Sequence, residues 1–322
     1  MQNCHLYIAS CTQAGGIYHY KLQNGTILAC EFTPCDRPMY AAIAKDKLHV
    51  LLRQPISGCD ESAMITYRIA SNGALLSPSA MVKTHGKVAC HLCCFQDEVY
   101  AVNYLSGNVV CSSGKINAHS GHGPDPIRQD MPHTHYIFPS ADWSHLLVTD
   151  LGTDAVYQYD RDLRVLHVAH VPHGHGARHL AYSEDGSAVF CCNELRSTVT
   201  VFTYRSGKLT ALQTVPVLDH EAKSAAAAIR VQGQYVYVSN RGDDSISCLQ
   251  WDGCQLQLCS ITPCGGKSPR DILILDDLLL CANENSDSVT VFTMDGSKIN
   301  RANTQIEIKK PLCITAYPML EE

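Results

Sequence analysis

One short pattern recurs along this chain: a β-type run reaches an Asn, turns through polar residues, and resumes as an alternating strand. It reads CNELRSTVTVF from Cys192, SNRGDDSISCL from Ser239 and ANENSDSVTVF from Ala282. DLGTDAVYQYD from Asp150 and NYLSGNVVC from Asn103 extend the series, so the anchors 103, 150, 193, 240 and 283 lie 47, 43, 47 and 43 residues apart. Weaker copies, SCTQAGGIYHYKL from Ser10 and LLRQPISGCDESAMITYRI from Leu51, make seven units. Several short strands per unit at a period of about 40–50 residues are the signature of a β-propeller. The expectation is an all-β, seven-bladed β-propeller with four-stranded antiparallel blades, forming a single domain over residues 1–322.

The last complete unit predicts four strands: 270–274 innermost, 278–282 returning outward, 288–294 after the polar turn, and 304–308 outermost. Helical periodicity is nearly absent, and the Ala-rich stretch 222–228 reads as a lead-in to a strand. The chain starts on what reads as a second strand, His5 to Ser10, and ends on an unattached first strand, Pro311 to Pro318. Pairing the two would close the ring, the C-terminal strand joining the N-terminal blade and leaving no open edge.

Composition narrows the function. The net charge is −6 with no basic run, which argues against nucleic acid as a partner. No apolar run approaches the ~20 residues of a membrane span, and MQNCHLYIASC lacks the features of a signal peptide. Seventeen cysteines, an odd number, lie scattered and often inside apolar strands. That usage fits reduced core thiols and a cytoplasmic protein. The one CxxC, Cys90 to Cys93, lies in a strand where residues three apart face opposite ways, a poor chelate.

The unusual polar residues fall at two places in the unit. His133, His135, Arg178, His179 and Arg270 precede or open inner strands, and Asp150, Glu194, Arg241 and Glu284 stand where second strands end. In an antiparallel blade these two places share one edge, so both sets point to one mouth of the central channel. Two histidines two apart in an extended segment also suit a metal pair, and with His173 and His175 they make zinc an alternative. The mixture of His, Glu and Arg suits a small anionic substrate: arginines bind phosphate or carboxylate, and His or Glu moves protons.

The segments PHTHYIFPSADWSHLLVTDLGTD, GHGARHLAYSEDGSAVFCCNELRSTVTVF, AAAIRVQGQYVYVSNRGDDSI and GKSPRDILI, in this order, resemble the lactonase family of seven-bladed propellers. That family includes propeller-type 6-phosphogluconolactonases and 3-carboxy-cis,cis-muconate lactonizing enzyme. The resemblance implies a catalytic set of His135, Glu194 and Arg178 and a substrate-binding role for Arg241, with His133 a second histidine. Arg270 and His179 are taken as further substrate contacts. Two positions depart from the family pattern: Ala228 where several members have an acidic residue, and Glu284 where many have Gln. The function implied is hydrolysis of a sugar lactone, 6-phospho-D-glucono-1,5-lactone of the pentose phosphate pathway, without cofactor or metal. Glu194 or His135 would be the base, with Arg241 reaching a distal phosphate or carboxylate. The alternatives are a lactonase or cycloisomerase acting on another carboxylated substrate, and a propeller that binds a ligand or protein without catalysis.

Overall fold

The computed structural model describes residues 3–56, 58–205 and 207–319; Met1, Gln2, Ser57, Ser206 and residues 320–322, which the expected domain 1–322 includes, lie outside the described residues. The chain forms seven four-stranded antiparallel sheets, the blades of a propeller. Blade 1 takes residues 4–34 and the C-terminal strand, and blades 2 to 7 follow as 38–83, 89–118, 134–170, 177–216, 225–263 and 269–307.

Closure takes the form expected from the termini. Pro311–Pro318 is the innermost strand of blade 1 and pairs antiparallel with Cys4–Ser10, Cys4 opposite Pro318 and Ser10 opposite Pro311. Two side-chain ties fasten this strand: Ser10 Oγ donates to Lys309 O at 2.6 Å, and Ile314 N donates to Asp271 Oδ2 of blade 7 at 3.0 Å.

The repeated Asn is a buried fastening rather than a solvated turn residue. Asn193, Asn240 and Asn283 are each 0 % exposed. Each Nδ2 donates to a hydroxyl seven residues on: Thr200 at 2.9 Å, Ser247 at 2.7 Å and Thr290 at 3.1 Å. In blades 6 and 7 that hydroxyl donates onward to the incoming link, Ser247 to Val217 O and Thr290 to Cys264 O. A buried amide without such partners would cost about 1–3 kcal/mol.

The core is divided among the seams. Seven apolar clusters bridge neighbouring blades around the ring; one joins Phe190 and Val201 of blade 5 to Val238 and Leu249 of blade 6. Middle strands are therefore covered on both faces, so they read as continuous apolar runs and accept thiols such as Cys191 and Cys192. All seventeen cysteines are free thiols.

Three local expectations need correction. The outer strand of blade 7 is Lys298–Glu307 rather than 304–308, because Asp295–Gly296 opens a tight hairpin that starts pairing at once. The stretch from Ala225 is itself the start of the inner strand Ala225–Gln232, and its small residues leave room for Arg178, which donates to Ala227 O. Cys90 and Cys93 belong to the same core cluster, because a bulge between Ala89 and His91 resets the alternation.

Candidate active site at the channel mouth

That bulge recurs in every blade at the opening of the inner strand. The pairing registers skip Leu312 in blade 1, Met39 in blade 2, Cys90 in blade 3, His135 in blade 4, Arg178 in blade 5, Ala227 and Ala228 in blade 6, and Arg270 in blade 7. An extra residue in one strand re-aims its side chain. Here six of the seven bulges place theirs around one small central cavity, whose wall includes Leu312, Met39, Cys90, His135, Arg178 and Arg270. The cavity, about 20 Å³, has room for one water and no more. Anything larger than a water would have to sit over the mouth.

Glu194 is the hub of that mouth. It follows the buried Asn193 at the end of the second strand of blade 5 and is 4 % exposed. Arg178 Nε donates to its Oε2 at 3.0 Å and Arg128 Nη2 to its Oε1 at 2.5 Å. Arg241 Nη2 lies 2.8 Å from Oε2, an ion pair by distance, yet off the donor direction, so that nitrogen makes no hydrogen bond. Arg178 is further locked by Nη1 donating to Ala227 O at 2.5 Å, possible because blade 6 carries only alanines there. Arg270 pairs with Glu284 at 3.4 Å. Four guanidinium groups against two carboxylates leave an excess of two positive charges at the mouth.

Burial alone would raise the Glu194 carboxyl, but the charges of Arg241 and Arg178 outweigh it and hold the group well below the usual carboxylate range. Burial, then Arg241, pulls Arg178 down to about 10, which leaves it protonated at neutral pH. His135 is 5 % exposed, and burial followed by the Arg178 charge pushes it well below 6.5. It is a neutral imidazole whose Nδ1 has no hydrogen-bond partner.

His133 stacks on Tyr104 with centroids 4.4 Å apart, its Nδ1 on Tyr104 O at 3.0 Å, while His135 meets the same ring edge-on at 5.6 Å. His179 lies one layer down the channel, against Tyr136 at 4.6 Å and His91 at 5.7 Å. In that layer Arg230 pairs with Asp271 at 2.7 Å.

The structure thus brings together His135, Arg178, Glu194, Arg241 and Arg270, with His133 beside them and His179 beneath. Arg241 is not a distant arm: it lies on the same carboxylate as Arg178, because the ends of adjacent second strands meet at the rim. Asp150 is not at the mouth. It is fully buried, with Oδ1 accepting from His133 N and Gly152 N and Oδ2 held by His119 Nδ1 at 2.6 Å, so it does the fastening work of the Asn elsewhere. The four zinc candidates do not form a ligand set: His173 is exposed and His175 Nδ1 bonds the Thr198 hydroxyl at 2.9 Å. Sequence reasoning missed Arg128, Tyr104 and His91. Arg128 lies in the irregular segment between blades 3 and 4, outside the repeat, and no periodic signal marks it.

Fold and mouth together define a closed propeller whose channel opens on a cationic, histidine-bearing rim. The chain belongs to the lactonase family of seven-bladed β-propellers, whose family model matches residues 5–316. An uncharacterised Staphylococcus aureus protein is 32% identical over 258 residues, covering 72% of this chain and 75% of its own. Among solved structures, a Bacteroides fragilis protein provisionally described as a 6-phosphogluconolactonase superposes with a TM-score of 0.90 at 24% identity, covering 98% of both chains. The periplasmic gluconolactonase of Pseudomonas aeruginosa superposes with a TM-score of 0.89 at 23% identity, covering 99% of this chain and all of that one. At these identities the two structures bear on the fold.

Proposed function

We propose that the protein hydrolyses a sugar lactone, with 6-phospho-D-glucono-1,5-lactone as substrate and His135 as the proton-transferring group. The observation that carries this reading is the contrast between the two candidate bases. The basicity of both is lowered, but the oxygens of Glu194 are engaged by three arginines, whereas His135 is neutral with an Nδ1 that has no hydrogen-bond partner among the described residues. In the proposed reaction His135 takes a proton from water as its oxygen bonds to the lactone carbonyl carbon. Arg178 stabilises the oxyanion. Collapse breaks the bond to the ring oxygen, which receives the proton back from His135, and the open-chain acid leaves. Arg241 and Arg270 supply positive charge that draws the anionic substrate to the mouth. The seventeen thiols, eleven of them buried, support a reducing compartment such as the cytoplasm.

The test is acid release by purified protein supplied with the phosphorylated lactone, measured above the spontaneous rate. His135→Asn should lower kcat about 10²–10⁴-fold, the usual contribution of general-base catalysis. In the wild type kcat/KM should stay level as pH falls past 6.5, because the base remains unprotonated there. Absence of turnover would leave an anion-binding propeller without catalysis.

A further inference from the structure

Beside the mouth, between blades 5 and 6, lies an open groove of about 550 Å³, within the usual range for ligand pockets. One wall is the turn 195–197 that directly follows Glu194; the other is the link 216–224 that leads into the inner strand of blade 6. On its inner side the wall residue Ser224 is followed by Ala225, whose carbonyl accepts from Arg241 Nε at 3.3 Å, so the wall is tied to an arginine of the mouth.

The groove's donors are uncommitted. Arg196 and Lys223 are exposed on its rim, and neither makes an ion pair among the described residues. Ser197 and Ser224 also line it, but their Oγ atoms are buried and unpartnered among the described residues, Ser197 at 7 % exposure, so the exposed donors of the groove are the two cations. Asp219 and Asp243 share His220, at 2.9 and 2.7 Å, and Glu221 is the one carboxylate that lines the groove among the described residues. Two unpaired, exposed cations on one open rim suit a phosphate monoester. The channel cavity has room only for a water, so the far end of a substrate reacting at His135 must lie outside it. Among the mouth arginines, Arg241 is tied to the groove wall through Ala225.

We propose that this groove seats the phosphate of a phosphorylated sugar lactone while the lactone carbonyl occupies the mouth. This rests on the lactonase reading and adds to it the reason a phosphorylated substrate would be preferred. Because Arg196 and Lys223 are exposed, neutralising them leaves the core untouched. In Arg196→Met and Lys223→Met, kcat/KM for 6-phosphogluconolactone should each fall about tenfold, the lower end for a charge-assisted hydrogen bond. With unphosphorylated glucono-1,5-lactone, kcat/KM should not change. Equal losses on both lactones, or no loss on either, would overturn the subsite. Calorimetry with 6-phosphogluconate separates the two claims: if no lactone is turned over but Lys223→Met weakens this binding, the subsite stands and the catalytic reading falls. If lactone is turned over and binding is indifferent to Lys223→Met, the catalytic reading stands and the subsite falls.

Discussion

The channel rim is one backbone device repeated seven times, and its two sides differ only in what the bulge carries. Around blades 4, 5 and 7 the bulged residues are His135, Arg178 and Arg270; around blades 1, 2 and 3 they are Leu312, Met39 and Cys90. Both sides have the same strand order and pairing. The difference teaches that the propeller supplies position while the residue at the bulge supplies chemistry. The apolar side acts as a wall, excluding water and leaving the arginine charges poorly screened. The polar side concentrates charge because each guanidinium finds Glu194 or Glu284 within reach.

Removing the hub should have the largest effect. Glu194→Gln leaves the guanidinium groups of Arg178, Arg241 and Arg128 facing one another, and breaking a buried ion-pair set costs about 3–5 kcal/mol. Urea unfolding should register that loss alongside reduced turnover. A variant as stable as wild type would mean that the mouth is wetter than its burial indicates.

Next comes Arg241→Ala, which removes the charge-assisted contact proposed for the substrate, about 1.5–3 kcal/mol. KM should rise about 10- to 150-fold, with kcat less affected. A loss carried by kcat instead would move Arg241 from anchoring to oxyanion stabilisation.

The rim and the layer beneath it give a pH signature. His91, His135 and His179 are held well below 6.5, by burial first and then by the charges of Arg230 or Arg178. Below about pH 6.5 the unfolded chain takes up protons at these three positions and the folded one does not, so stability falls with pH. The loss is about 1.4 kcal/mol per pH unit for each histidine, and stability is insensitive to these groups above that pH. His179→Phe should make the acid slope shallower by one such increment, read from unfolding midpoints between pH 6.5 and 5.

The smallest effect belongs to the apolar side. Burial pushes the Cys90 thiol up to about 12, so it is no nucleophile at neutral pH. Cys90→Ala should leave kcat and KM unchanged within about twofold. A large loss would mean that the wall takes part in the chemistry and the contrast between the two sides fails.

Much of this was legible beforehand. The Asn-anchored repeat announced seven blades, and the orphan strands at the two ends announced closure, since both are patterns of local sequence. Residues flanking those anchors, Glu194 and Arg241, could be picked out because a strict repeat makes its exceptions visible. Arg128 could not, because it lies in an irregular connection whose position is set by what it packs on: Gln129 next to it is buried, donating to Asp154 at 2.7 Å and Leu151 O at 2.8 Å. Asp150 misled for the opposite reason. It occupies an anchor position, and its burial against His119 depends on a strand of blade 3 that no local pattern reveals.

The sequence by itself determined the number of blades, the strand order within each, and the side of the ring carrying arginine and histidine. These follow from spacing and alternation, which act over a few residues. Which carboxylate gathers three arginines, which imidazole keeps a free nitrogen, and which face a bulged side chain meets were decided only when seven inner strands converged. Burial, desolvation and the competition of donors for one acceptor are properties of that convergence. They depend on distances between residues tens of positions apart, and a linear pattern carries no record of those distances.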